Sequence, residues 1–170
     1  QSSNTTRSYA SEPITMIDNM ITFKDPPFYE STSAKLISQR VLNAYQEDDS
    51  RHSSPNEDYP LIESTIMETG NLRGTGNVTN IGTWIDNYRA EGVTFNTGRG
   101  IMSTIDGKST APWRAYDIGR TDDNGNRTFK GIMFFNNNTN GELEFLSNVE
   151  ALYIIKPSDR QPTFLMWKWN

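Results

Sequence analysis

The stretch EGVTFNTGRGIMSTIDGKSTAPWRAYDIGRTDDNGN, residues 91–126, decides the fold of this chain. Three turn dipeptides, Glu91-Gly92, Asp106-Gly107 and Asn124-Gly125, separate runs in which apolar and polar residues alternate. A tight hairpin needs positive φ at its central residues, which Asn, Asp and Gly tolerate best. Turns at regular intervals between alternating runs predict consecutive antiparallel strands.

The same rhythm continues on both sides of this stretch. A further turn is predicted at Asn140-Gly141, and a short helical turn at residues 142–148. Strands are predicted at residues 60–69, 77–88, 92–105, 109–121, 127–136, 149–156 and 163–169. The sequence therefore predicts an all-β domain, an antiparallel meander of about eight strands that forms a barrel or a sandwich.

Glycines inside the predicted strands indicate how the sheet packs. In the strand at residues 92–105, Gly98 and Gly100 lie on the face opposite to Val93 and Phe95. A glycine within a strand usually marks a bend or a close approach, as in a strongly coiled sheet. Five further glycines are interpreted in the same way: Gly74, Gly76, Gly82, Gly119 and Gly131.

Residues 1–33 are predicted to form an N-terminal arm, and residues 34–170 the barrel-like domain. The run from Ile14 to Phe23 predicts a strand, because it is rich in Ile, Thr, Met and Phe. Asp25-Pro26-Pro27 ends this strand, since proline cannot donate to a β ladder. The apolar residues of this detachable strand are Ile14, Met16, Ile17, Met20, Ile21 and Phe23.

Residues 35–45 fit two structures. Ile37, Val41 and Tyr45 are four residues apart, which suits an amphipathic helix. The strands that follow favour a strand instead, and a strand is our prediction.

Composition excludes several classes of function. The chain has 170 residues, 34% of them hydrophobic, with a net charge of −5 and a mean hydropathy of −0.69. Without a basic cluster, a nucleic acid or an anionic membrane surface is not an expected partner. The absence of cysteine excludes thiolate catalysis, Cys-based zinc sites and disulfides. No apolar run approaches the roughly 20 residues of a membrane-spanning helix.

The polarity comes mainly from Asn, Ser and Thr, and this favours an extracellular or cell-surface location. Gln1 in place of Met leaves two explanations open, a removed leader and an arbitrary starting point. Asn-X-Ser/Thr sequons give four candidate glycosylation sites, although this composition produces about three by chance. They lie at Asn4, Asn77, Asn126 and Asn137.

Several motifs occur together between residues 98 and 169. They are Gly98-Arg99-Gly100-Ile101, Asp106-Gly107-Lys108, Trp113, Ile118-Gly119-Arg120, residues 130–135, residues 143–148 and Trp167-Lys168-Trp169. On these motifs the chain resembles a group of uncharacterised archaeal β-barrel proteins, distantly similar to the allene oxide cyclase and dirigent barrels. The resemblance implies a barrel and brings no established reaction with it. Residues 1–33 have no counterpart in that group.

Arg99, Asp117 and Trp113 are the candidate ligand-binding residues of such a barrel. An inward-pointing Arg99 would need a carboxylate, for which Asp117, Glu63, Glu68 and Asp86 are available. An Arg paired with an acid could polarise a ligand, as a cyclase-like barrel requires. The simpler interpretation is a structural ion pair at the barrel mouth or an Arg99 that faces water. Aromatic residues such as Trp113 either line a pocket or fill the core.

Asp122, Asn124 and Asn126 place oxygen ligands at alternate positions, like the beginning of a calcium-binding loop. Arg127 stands where that loop needs Gly, and Met133 stands where it needs Glu. An ordinary hairpin turn is the alternative explanation for the same residues. On the partial calcium-loop pattern, calcium is the one candidate cofactor.

No catalytic residues are predicted. The lone His52 lies among acidic residues in the polar stretch 46–58, where a solvated side chain is the simpler alternative to a metal ligand or a general base. The spacings Gly-x-Ser-x-Gly, P-loop and His-Glu-x-x-His do not occur.

Two functions follow from these observations. The first is an extracellular structural protein that self-assembles into a filament or surface polymer, in which the strand from Ile14 to Phe23 completes the sheet of a neighbouring copy. The alternative is a barrel that binds one small hydrophobic ligand, with cyclase-like or dirigent-like activity as its extension. In the simplest case the same segment is the first strand of a monomeric barrel.

Overall fold

The computed structural model of this protein describes residues 14–17, 20–23, 25–42 and 61–169. Within them the chain is all-β, and eight antiparallel strands form a closed barrel in the order β10-β3-β4-β5-β6-β7-β8-β9. A separate two-stranded sheet precedes it. The strands are β1 (Ile14–Ile17), β2 (Met20–Phe23), β3 (Tyr29–Leu42), β4 (Leu61–Leu72), β5 (Gly76–Ala90), β6 (Val93–Thr104), β7 (Thr110–Thr121), β8 (Arg127–Phe135), β9 (Glu150–Lys156) and β10 (Thr163–Lys168).

The predicted barrel strands are confirmed. Residues 35–42 belong to β3, so a strand rather than a helix occupies the described part of the ambiguous segment. The barrel begins at Tyr29, earlier than the predicted boundary at residue 34. Tyr29 is fully buried and its hydroxyl bonds within the barrel, which explains why the first strand starts there.

The predicted strand from Ile14 to Phe23 is divided in the structure. β1 and β2 pair antiparallel with each other, from Ile14 opposite Phe23 to Ile17 opposite Met20. The sequence between them is Asp-Asn, two residue types that favour turns. The prediction of one continuous strand is therefore wrong, whereas its donation to another copy stays a prediction.

The glycines of all four predicted turns have the expected positive φ. Gly92, Gly107, Gly125 and Gly141 have φ values of 69°, 71°, 81° and 58°. The interpretation of Gly74 as a strand glycine is wrong, since Gly74, with a φ of 86°, lies in the turn between β4 and β5. Gly76 is the first residue of β5, and its φ of 99° shows that it bends the chain where the strand begins.

The turn predicted at Asn140-Gly141 belongs to the longer connection between the paired strands β8 and β9. It leads into a 3-10 helix, Gly141–Leu146, in the region where a helical turn was predicted. Leu143 and Leu146 of this helix are fully buried. They pack into the apolar core at the barrel end where β4 finishes, which we call the lower end.

The linker before β3 is attached to this lower end. The indole Nε1 of Trp167 donates to the Asp25 carbonyl at 2.8 Å, and the backbone N–H of Phe28 donates to the Met166 carbonyl at 2.8 Å. The backbone N–H of Arg73 donates to the Phe28 carbonyl at 2.8 Å. Residues 25–28, which precede β3, are therefore bound both to β10 and to the residue that follows β4.

The barrel closes through a short contact between β10 and β3, which we call the seam. Only Leu165 with Glu30 and Met166 with Tyr29 are paired there. Next to them the Gln161 side chain donates to the Thr32 carbonyl at 2.7 Å and accepts from the Ala34 N–H at 3.1 Å. Beyond Ala34, where Gln161 bonds, β3 continues to Leu42 without a strand of the described chain on this edge. Its other edge is paired with β4 along its length.

No helix within the described part of the chain is long and apolar enough to cross a membrane.

Candidate ligand cavity

A cavity of about 170 Å³ lies in the upper half of the barrel, opposite to the apolar lower end. Its apolar wall includes Ile66, Trp84, Phe129, Ile155 and Phe164. Its polar wall includes Glu68, Asn80, Asp86, Asn96 and Asp117. Alternation along each strand turns these side chains inward, on the same face that is filled by apolar residues further down.

Glu68 is the centre of the first buried polar network. Its Oε1 accepts a hydrogen bond from the Tyr29 hydroxyl at 2.8 Å and another from Asn80 Nδ2 at 3.0 Å. Asn80 Oδ1 in turn accepts from Trp113 Nε1 at 2.7 Å. Burial raises the pKa of Glu68, and the hydrogen bonds from Asn80 and Tyr29 offset only part of that rise. This network joins four strands and fixes one carboxyl group at the cavity wall.

Asp117 is the centre of the second network. Its Oδ2 accepts from the Tyr153 hydroxyl at 2.5 Å, and its Oδ1 accepts from Asn96 Nδ2 at 2.6 Å. Burial raises the pKa of Asp117 above its ordinary value, while the two hydrogen bonds act in the opposite direction. Asn96 is only 3% exposed, and within the described chain its Oδ1 has no hydrogen-bond partner. Such an orphaned acceptor costs about 1–3 kcal/mol.

Gly131 creates the space for the second network. Asp117 is opposite Gly131, and Gly131 is opposite Tyr153 in the barrel register. A Cβ on Gly131 would collide with the Asp117 side chain and the Tyr116 carbonyl. The carboxylate therefore crosses β8 to reach Tyr153 only because residue 131 has no side chain. The prediction that this strand glycine marks a close approach is confirmed.

Asp86 is the third carboxyl group of the cavity wall. Burial raises its pKa, and the positive charge of Arg127 acts against that rise. Within the described chain no hydrogen bond reaches its carboxylate. The guanidinium of Arg127 lies 4.9 Å from the Phe129 ring centroid and donates to Thr94 Oγ1 at 3.3 Å. Arg127 thus places one fixed positive charge close to Asp86.

The structure does not bring the three predicted ligand-binding residues together. Asp117 lines the cavity, and Trp113 is buried in the core, where its indole fills the space above Gly82 and Gly100. Of the two interpretations of Arg99, the structure agrees with the simpler one, because its side chain is exposed on the outer surface opposite Arg114 and does not point into the barrel. Of the other predicted acids, Glu68 and Asp86 line the cavity, whereas Glu63 bonds with Arg40 on the outside at 2.9 Å.

Sequence reasoning missed Asn80, Asn96 and Arg127. Asn80 lies between Val78 and Gly82 on the inward face of β5, so a polar residue at a core position was the available signal. Arg127 offered no local signal, since its neighbours Thr94 and Phe129 come from two strands.

Asp122 forms an ordinary turn in the structure. Its Oδ1 accepts from the backbone N–H groups of Asn124 and Asn126, both at 2.9 Å. The described residues contain no group of three or more His, Asp or Glu side chains placed to hold a metal. Calcium binding at Asp122, Asn124 and Asn126 stays a prediction. His52 lies outside the described residues.

The sequons at Asn77, Asn126 and Asn137 carry exposed asparagines, and Asn4 lies outside the described residues. Their glycosylation stays a prediction.

A second apolar surface lies on the outside of the barrel. This groove of about 590 Å³ runs over β6 to β9. Its residues include Phe95, Tyr116, Ile118, Ile132, Leu152 and Ile154. The side chains of Phe95 and Tyr116 are 47% and 49% exposed. The outer wall of the barrel therefore offers an apolar contact surface.

Comparison of the chain with family models, curated proteins and solved structures finds no match. The resemblance to the allene oxide cyclase and dirigent barrels stays a prediction. The geometry of the barrel is therefore the basis of the functional proposals.

Proposed function

We propose that this barrel binds one small, largely apolar molecule in its upper cavity. The observation that carries the proposal is a cavity of about 170 Å³ with aromatic and aliphatic walls and a few fixed polar groups. An apolar cavity of ~150 Å³ is large enough for benzene, so a single ring with a short substituent is the expected size. Barrels of eight strands commonly hold one such ligand.

The cavity walls support binding without a large rearrangement. The rings of Tyr153 and Phe164 are stacked with centroids 4.9 Å apart, and Trp84 lies 5.4 Å from Trp113. The hydrogen bonds of Glu68 and Asp117 fix the polar wall. A site that is already ordered loses little conformational entropy when the ligand enters. The proposal covers binding alone, because Arg99, the predicted polarising group, is on the outer surface.

A cavity-filling variant tests this function. Toluene should bind the wild-type chain, as measured by saturation-transfer NMR and by quenching of tryptophan fluorescence. Ala34→Phe should abolish that binding, since Ala34 lines the cavity and a phenyl group would occupy it. Lys35→Phe is the matched control, because Lys35 is exposed. Absence of toluene binding in the wild type, or full binding by a folded Ala34→Phe variant, would contradict the proposal.

A second candidate function is self-association through the edge of β3, and the seam supports it. β10 pairs only with the beginning of β3, so within the described chain residues 35–42 are paired with β4 on one edge and with no strand on the other. Leu36, Ile37 and Val41 in this segment are 53%, 51% and 63% exposed. An unpaired apolar edge is a template for another strand.

The N-terminal segment of a second copy is the partner that we propose for this edge. β1 and β2 are apolar in sequence and precede the barrel on a linker whose Asp25 is fixed by Trp167 at the lower end. If the pairing of β1 with β2 opens in the assembly, the segment from residue 14 to 23 becomes extended, and at ~3.4 Å per residue it is long enough to lie along residues 35–42 of another barrel. The proposal keeps the predicted role of Ile14 to Phe23 as a donated strand, and it names β3 of a second copy as the strand to which this segment is added.

Oligomeric state tests this second function. The full chain should form oligomers in size-exclusion chromatography with light scattering, and deletion of residues 1–23 should leave a folded monomer. Val41→Lys, which charges the exposed edge, should weaken association, whereas Thr97→Lys on β6 should not. A monomeric full chain, or oligomers that persist after the deletion, would exclude this mode of assembly.

A further inference from the structure

We infer that the ligand of the upper cavity is a small organic ammonium ion whose apolar body has the size of one ring. The inference rests on the proposed binding function and names its ligand class. Three features of the wall carry it: the sign of its charges, the surplus of hydrogen-bond acceptors, and the aromatic rings beside them.

All charged residues that line the cavity within the described chain are acidic. Glu68, Asp86 and Asp117 approach it from β4, β5 and β7, and the wall contains no Lys, Arg or His. The single cation nearby is Arg127, whose guanidinium is engaged by Thr94 and by the Phe129 and Tyr88 rings. An anionic ligand would therefore find acidic groups and no cation on the wall to pair with, whereas a cationic ligand would favour the ionised form of these carboxyl groups and be attracted by it.

The hydrogen-bonding groups of the wall point to the same ligand class. The hydroxyl donors of Tyr29 and Tyr153 and the amide donor of Asn96 are already directed at the protein's own acceptors. In contrast, within the described chain Asn96 Oδ1 has no donor, and the Asp86 carboxylate at the cavity wall accepts no hydrogen bond. An entering ligand that donates hydrogen bonds would satisfy these acceptors, and an ammonium group carries donors only.

Aromatic rings complete the site. Trp84, Phe129 and Phe164 line the cavity together with the carboxyl groups. The face of an aromatic ring attracts a cation, and the Trp ring attracts it more strongly than the Phe ring. A carboxylate beside aromatic faces is a combination that recognises alkylammonium groups and holds an apolar body against the same rings.

Three probes of similar shape and different charge test the inference in the wild-type protein. Benzylamine, benzyl alcohol and benzoate are titrated at neutral pH, with calorimetry and tryptophan fluorescence as readouts. Benzylamine should bind at least about tenfold more tightly than benzyl alcohol, and benzoate should bind most weakly. Equal or tighter binding of benzyl alcohol or benzoate would overturn the ligand class while leaving the cavity function intact. If none of the three probes and no toluene binds, the proposed function itself fails.

A charge-neutralising variant locates the ammonium group. Asp86→Asn should weaken benzylamine binding about tenfold and leave benzyl alcohol binding unchanged, because the amide keeps the shape and removes the charge. Glu63→Gln on the outer face of β4 is the matched control and should change neither affinity. Equal weakening of both probes by Asp86→Asn would show a loss of shape rather than of charge, and would overturn this assignment of Asp86.

Discussion

The two halves of the barrel interior have the same strand pattern and opposite contents. In the lower half, Leu72, Met102 and Leu146 are fully buried and the 3-10 helix closes the end. In the upper half, Glu68 and Asp117 occupy equivalent inward positions and border a cavity. The comparison teaches that alternation selects which residues point inward, while their chemistry decides whether the interior becomes a packed core or a site.

The packed half should lose most stability when a side chain is truncated. Leu72→Ala should lower the free energy of unfolding by about 2–5 kcal/mol, because a large buried side chain leaves a cavity. Ile66→Ala on the same strand should cost about 1–2 kcal/mol, because Ile66 is only partly buried and already borders open space. Urea denaturation measures both. Equal losses would remove the distinction between the two halves.

A smaller effect should follow when the upper networks are crowded. Gly131→Ala should cost about 1–3 kcal/mol, since its Cβ would collide with Asp117 and the Tyr116 carbonyl. The variant should also weaken the bond between Asp117 and Tyr153 and reduce benzylamine binding. Thr97→Ala on the outer face is the control. Unchanged stability and binding in Gly131→Ala would show that the glycine is not needed for the close approach.

The buried acids make the stability of the upper half dependent on pH. Because burial raises the pKa of Glu68 in the folded state, that state binds more protons than the unfolded chain between the ordinary and the raised pKa. Its contribution to stability is therefore complete below the ordinary pKa of Glu and is lost as the pH rises through the raised value. The loss is about 1.4 kcal/mol for each pH unit within that window.

Two variants separate this contribution from the rest. Unfolding free energies measured from about pH 4 to about pH 8 should fall less steeply in Glu68→Gln than in the wild type. Asp86 and Asp117 should leave a residual slope of the same sign, since burial raises their pKa values too. Thr97→Ala, which removes no titratable group, should keep the wild-type slope. An unchanged slope in Glu68→Gln would show that Glu68 does not titrate in this window.

The smallest effect is expected outside the barrel. Arg99→Ala should change the free energy of unfolding by less than about 0.5 kcal/mol, because the side chain is exposed. Toluene and benzylamine should bind this variant as they bind the wild type. A large loss of binding would place Arg99 at the site after all.

The sequence predicted the antiparallel strands because the hairpins carry local signals, and it left open whether those strands form a barrel or a sandwich. It identified Asp117 but paired it with Arg99, and the reason lies in the connection between β6 and β7. The register around this turn puts even-numbered residues of β6 on the same face as odd-numbered residues of β7, so Asn96 faces Asp117 and Arg99 faces Arg114. The Asp-Gly dipeptide predicts a turn there without fixing the length of the loop, and one residue more or less inverts the face.

The cavity depends on contacts that no single segment encodes. Tyr29 and Glu68 meet across β3 and β4, and Tyr153 meets Asp117 across Gly131. These contacts follow from barrel closure and from the stagger of its strands. Polar residues at inward positions, such as Asn80, were the part of the site that the sequence alone could have predicted.

The seam is the place where we expect the barrel to open transiently. Within the described chain two residue pairs, the hydrogen bond from the Phe164 N–H to Ser31 Oγ at 2.8 Å and the Gln161 side chain join β10 to β3, whereas β3 and β4 are paired over a much longer segment. Brief separation at this place would expose the cavity between Ala34 and Phe164 without disturbing the carboxyl groups on β4 and β7. The amide hydrogen of Phe164, which bonds to Ser31 Oγ across the seam, should then exchange with deuterium sooner than those in the middle of β5 and β6. The same opening would set the rate at which a bound molecule escapes.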